Sequence, residues 1–188
     1  GDATREVLNQ RVGEVFWRMG ADEGWEQDRY LYEGLDLQIG DERHSDTVLC
    51  IGLEDQVNAH PDEYRDRLAE AADRDKEMIC ANPDIRVRIG DQLHWCAGAL
   101  AKVFEEEGGK VIYPGKPHSP IYELALSKLS DLGVEAAAER TLCIGDSPAT
   151  DMRGALNQGF HGLYVGTGLK EHGADFEQEV ADLLEDYS

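Results

Sequence analysis

At 188 residues and 41% hydrophobic content, the chain can bury one large core or two small ones, which excludes a mainly disordered polypeptide. Asp and Glu number 39 against 18 Lys and Arg, a formal charge of −21, which excludes the basic footprint of a nucleic-acid binder and any attraction to an anionic membrane surface. Four widely separated cysteines (Cys50, Cys80, Cys96, Cys143), no Cys-x-x-Cys pair, no signal peptide and no membrane-spanning run predict a cytoplasmic protein with reduced thiols and no zinc site.

In chain order, Thr4–Gln10 has a short helical pattern that Asp2 or Thr4 would cap, and Val15–Trp17 reads as a strand. Glu23–Tyr32 reads as a helix stopped by Gly34, with Trp25, Tyr30 and Tyr32 as packing aromatics. Leu35–Ile39 alternates with period two, as a half-buried strand does, and a charged turn over Gly40–Asp46 follows. Thr47–Ile51 is apolar throughout, hence an interior strand. Pro61 opens a helix whose inward stripe is Tyr64, Leu68 and Ala71 or Ala72, and Glu77–Ala81 is the next strand.

Asn82-Pro83-Asp84 follows as a turn: Asn and Asp side chains bond nearby backbone, and Pro fixes φ. Val87–Ile89 and Leu93–Trp95 form a β-hairpin on Gly90-Asp91, with His94 read as a structural histidine. Ala97–Glu107 is a helix halted by Gly108-Gly109. After Val111–Tyr113 comes a Gly115-Lys116-Pro117 loop, then a helix with Ile121, Leu124, Ala125, Leu129 and Leu132 on one face. Leu142–Ile144 is a short buried strand, ended by Gly145, with Asp146 just past its carboxyl end. A helix over Ala149–Gln158, a strand over Gly162–Val165, a Gly166–Gly168 exit and an amphipathic tail helix over Phe176–Leu184 complete the pattern. Strand and helix alternate, so the fold class is α/β: a doubly wound parallel-sheet core, present in part, plus a smaller α/β domain.

Open parallel sheets bind ligands outside the carboxyl ends of their strands, where Asp146 and Asp151 fall. Two carboxylates there suit a hard cation such as Mg²⁺; the plainer reading is an acidic turn with a helix-terminal charge. Gly115-Lys116-Pro117, then a strand, then Gly145-Asp146-Ser147-x-x-Thr150-Asp151, resembles motifs three and four of the haloacid dehalogenase superfamily of phosphohydrolases. The closest likeness is to the class IIA branch, whose cap lies between motifs two and three; Asn82-Pro83-Asp84 and Cys96–Leu100 look like landmarks of that cap. The resemblance implies a cap over residues 1–109 and the C-terminal part of the hydrolase core over 110–188. It implies Mg²⁺-dependent phosphatase activity on small phosphorylated metabolites through an aspartyl-phosphate, in the intact protein. It assigns Asp146 as metal ligand and Lys116 as the cation facing nucleophile and phosphate. Asp151 becomes a second carboxylate, ligating directly, through water, or holding Lys116, and Asn82 and Asp84 become substrate-facing cap residues.

Ser147 and Thr150 are expected as helix caps, and His118 as a residue behind the site. The superfamily's Asp-x-Asp nucleophile motif is not found on an N-terminal strand, so the chain resembles a fragment that is inactive alone. The alternative is a non-catalytic binding module that keeps the fold. Either way, half a doubly wound sheet leaves an apolar strand edge to be covered by the missing segment or by another chain, as in a homo-oligomer.

Overall fold

A computed structural model describes residues 1–21 and 29–165. Most of the expected Glu23–Tyr32 helix, including Trp25, lies outside the described residues, as do the Gly166–Gly168 exit and the Phe176–Leu184 helix. The chain forms two compact units, Gly1–Gly115 and Lys116–Ser188.

The first unit is built on a five-stranded, all-parallel sheet of order β2-β1-β3-β4-β7. Its strands are β1 (Val15–Met19), β2 (Gln38–Gly40), β3 (Thr47–Cys50), β4 (Glu77–Cys80) and β7 (Lys110–Ile112). β3, apolar on both sides in the sequence, is buried at every residue, as a central parallel strand must be. β2 is shorter than its alternation suggested and largely exposed, because it forms the sheet edge. β7 was placed in the second half by the sequence division at Gly109. It pairs instead with β4 in this sheet, so Gly108-Gly109 ends a helix without ending the unit.

Helix α1 (Asp2–Asn9) begins earlier than expected, with Gly1 as its cap residue and no side-chain cap bond. His60 caps the next helix through a reciprocal bond with Glu63; a 3₁₀ turn over Pro61–Tyr64 runs into α2 (Arg65–Asp73). Tyr64, Leu68 and Ala71 are buried there, the stripe the sequence predicts. Helix α3 (Ala97–Glu106) buries Leu100, Val103 and Phe104 against Val48, Cys50, Met78 and Cys80. A hairpin of β5 (Arg86–Ile89) and β6 (Gln92–Trp95) turns on Gly90 at φ 60°. Arg86 stacks on Trp95, 3.5 Å from the ring centroid, and His94 is buried with an unpartnered Nδ1. All four cysteines are free, three of them buried.

The second unit holds α4 (Ser119–Asp131), the parallel pair β8 (Leu142–Gly145) and β9 (His161–Tyr164), and between them a π-helical turn over Pro148–Met152 leading into α5 (Arg153–Asn157). The buried residue of α4 is Tyr122, not the aliphatic stripe: Leu132 is 78% exposed. Ile121, Leu124 and Leu129 of that stripe are partly buried, and Leu132 lies just past the helix end. Among the described residues no helix is long and apolar enough to cross a membrane.

Candidate active site

The site is assembled within the second unit, at the carboxyl end of β8. The strand's apolar residues end at Gly145, and the chain leaves the sheet through Asp146 and an extended Ser147. Pro148 opens the π turn, and the amides of Asp151 and Met152 both donate to the Ser147 carbonyl, at 2.9 and 3.2 Å. This wide turn carries the Asp151 side chain back over the strand end. Oδ2 of Asp151 accepts the backbone amides of Asp146 and Ser147, each at 3.1 Å, and Oδ1 forms an ion pair with Lys116 Nζ. Both Asp151 oxygens are therefore engaged inside the protein.

Ser147 makes no side-chain cap bond, contrary to the capping expected of it. The Asp151 carboxylate already takes the Asp146 and Ser147 amides. Nor does His118 make a side-chain cap bond at the start of α4, although it occupies the cap position.

The pair is asymmetric: the Asp151 side chain is 10% exposed and that of Lys116 is 51% exposed. Burial by itself pushes the Asp151 carboxyl up. The hydrogen bond from Lys116, the Ser147 amide, the Lys116 charge and the Asp146 amide together outweigh it, and hold this carboxyl below its ordinary value. One partner is a buried anion, while the other is a lysine whose side chain is half exposed.

Lys116, Asp146 and Asp151 are thus brought to one place. Asn82 and Asp84 belong to the first unit, where Asn82 Oδ1 accepts the Asp84 amide at 3.1 Å and the Asp84 carbonyl accepts the Gly98 amide at 3.1 Å. The loop therefore rests on the first turn of α3, and a Cβ at Gly98 would overlap the Pro83 carbonyl.

Among the described residues, no three His, Cys, Asp or Glu side chains converge on a metal position. Mg²⁺ is commonly held by one or two carboxylates plus waters and substrate phosphate, so a full cluster of protein ligands is not what such a site requires.

Sequence reasoning missed Gly145 as a site residue: a Cβ there would overlap the Asp151 carboxyl, so the buried anion packs directly on strand backbone. Its signal was available, as a glycine ending an apolar strand one residue before an acid.

Residues 113–187 match the family model for HAD-hydrolase-like proteins. Over 148 residues, 72% of this chain, the sequence is 30% identical to a cardiolipin synthase (CMP-forming)/mitochondrial hydrolase fusion protein of Schizosaccharomyces pombe, of which it covers 22%. A solved haloacid dehalogenase-like family hydrolase from Brucella suis is 38% identical, with a TM-score of 0.72, over 89% of this chain and 63% of that one. The p-nitrophenyl phosphatase of Archaeoglobus fulgidus shares the fold at 20% identity, TM-score 0.66, over 95% of this chain and 64% of that one. The chain spans less than two thirds of the length of each.

Proposed function

From the match to the HAD-hydrolase-like family model and the likeness to the Brucella suis hydrolase, we propose that this chain is part of a haloacid dehalogenase-like hydrolase and that the intact protein is a Mg²⁺-dependent phosphatase of small phosphorylated metabolites. The observation that carries this reading is the buried Asp151 carboxylate holding a half-exposed Lys116 ammonium beside Asp146, at the carboxyl end of β8. Phosphoryl transfer needs positive charge around the equatorial oxygens and needs it preorganised. Lys116 supplies it as a point charge whose direction Asp151 fixes. Asp151 also holds the Asp146 and Ser147 amides, so it orients Asp146 for cation binding and is a positioning carboxylate, not a ligand. Bound Mg²⁺ would offset the charge of the phosphate as an anionic nucleophile approaches. Asn82 and Asp84 are proposed as substrate-facing cap residues, and residues 1–115 and 116–188 as cap and core portions.

The alternative reading is a non-catalytic binding module that keeps the fold. Hydrolysis of p-nitrophenyl phosphate by the intact gene product and by this chain, with Mg²⁺ and with chelator, separates the two. Chelator-sensitive turnover by the former and none by the latter is expected. An intact protein without turnover would end the phosphatase reading.

A further inference from the structure

We propose that Tyr122 and Gly154 form a steric lock that sets the separation between the Lys116 loop and the turn carrying Asp151. The catalytic consequence of this lock rests on the phosphatase reading; its geometry does not.

Helix α4 starts directly after the Lys116 loop, and Tyr122 stands in its first turn, 8% exposed. The Tyr122 ring meets Phe160 edge-on, with centroids 6.0 Å apart. Its hydroxyl lies against Gly154, where any Cβ would overlap it. Gly154 stands three residues after Asp151, one turn further along the same helical run, so whatever fixes Gly154 fixes the base of the Asp151 side chain. Glycine inside a helix is unfavourable relative to alanine, and here the close approach of α4 requires it. A second tie runs the same way: Asn157 Nδ2 donates to the carbonyl of Pro117, the residue after Lys116, at 3.3 Å. Burial first, then the charges of Cys143 and Asp151, pushes the Tyr122 phenol up to about 12, so it stays neutral and acts by shape. Tyr122 acts through its neighbours and is a positioning residue.

The test is a double-mutant cycle on the full chain, read by mass spectrometry as acylation of Lys116 by an activated ester, relative to Lys128 in the same unit. Gly154→Ala should raise relative acylation of Lys116 about fivefold, within the range by which contacting residues couple. Tyr122→Leu, which opens the contact from the other side without crowding it, should do likewise. Tyr122→Phe should change it less than about twofold, while Gly154→Ala with Tyr122→Leu should bring it most of the way back to the unmodified value, since the shorter side chain clears both the hydroxyl and the ring atoms that a methyl group at Gly154 would meet. In the intact gene product, kcat/KM for an aryl phosphate should fall in the variants whose Lys116 acylation rises and return in the double variant. Unchanged Lys116 acylation in Gly154→Ala and Tyr122→Leu would overturn the lock, as would equal rises at Lys116 and Lys128, or no recovery in the double variant. Absence of turnover in the unmodified intact protein would remove the phosphatase reading, while acylation still decides the lock.

Discussion

At the scale of single residues, the Lys116–Asp151 pair makes two checkable statements. Burial raises the Asp151 pKa, and Lys116 with two backbone amides brings it below the ordinary value. Lys116→Met removes the hydrogen bond and the charge together, so the Asp151 pKa should move upward, read from its carboxyl carbon in an NMR titration. A folded value below the unfolded one means the stabilising contribution is complete above the unfolded value, about 3.9, and is lost as pH falls through the folded value. The unmodified chain should therefore lose this increment only in strong acid, and Lys116→Met should lack it. An Asp151 titration indifferent to Lys116 would show that the amides alone hold the carboxylate. In the intact protein the same substitution should lower kcat/KM about 10²-fold, the usual loss of one preorganised charge or donor. That Asp151 holds Lys116, one of the alternatives read for it, was legible because two short motifs with fixed spacing carry the two residues. Gly145, Tyr122 and Gly154 were harder, because a close approach joins residues far apart in sequence and leaves no local period.

At the scale of elements, what could be read from sequence depended on burial on both sides. β3 and β4 are apolar runs in the sequence and buried strands in the structure. The hairpin followed from Gly90-Asp91, because its turn needs a positive φ. The π turn was invisible: Pro148 and the acid at 151 fit an ordinary helix start equally well, and the Lys116–Asp151 pair that accompanies the wider turn joins residues 35 apart in sequence. α3 and the Asn82–Asp84 loop give the prediction proper to this scale. Gly98 lets the loop backbone sit directly on the helix start. Gly98→Ala should therefore cost about 1–3 kcal/mol by overpacking, measured by urea unfolding, and should shift the amide resonances of Asn82 and Asp84. A neutral Gly98→Ala with an unmoved loop would contradict this packing. The buried thiols make a companion prediction. Burial pushes Cys80 up to about 12 and raises Cys50 well above its ordinary value, so both should resist alkylation until urea unfolds the first unit. Half-exposed Cys143 should react first.

For the whole molecule, net charge and uncovered apolar surface pull stability in ways no single contact does. A charge of −21 on 188 residues sets like charges against one another, and the arginine ion pairs around Arg65, Arg67 and Arg74 are exposed and individually weak. Raising salt from 0.1 to 1 M shortens the screening length from about 10 to about 3 Å, so repulsion is relieved by more than these pairs lose. The urea midpoint at neutral pH should rise with salt; a fall would mean that the ion pairs dominate. The second unit adds the other effect. β8 and β9 pair Leu142 with His161 and Ile144 with Leu163, which places Leu142, Ile144 and Leu163 on one face. Those three side chains are 54%, 64% and 50% exposed, while the opposite face, at Gly162, packs on Met152 and Ala155. A parallel pair apolar on both faces is built to be covered on both. Ile144→Lys tests this. In the chain as it stands, that side chain meets mostly water, so unfolding free energy should change by less than about 0.5 kcal/mol, as at other surface sites. Binding of a fluorescent apolar dye should fall. If further chain covers this face in the intact protein, the same lysine should destabilise it by several kcal/mol, the cost of an unpaired charge in a covered sheet. Equal tolerance in both would mean that this face is solvent-exposed in the complete molecule.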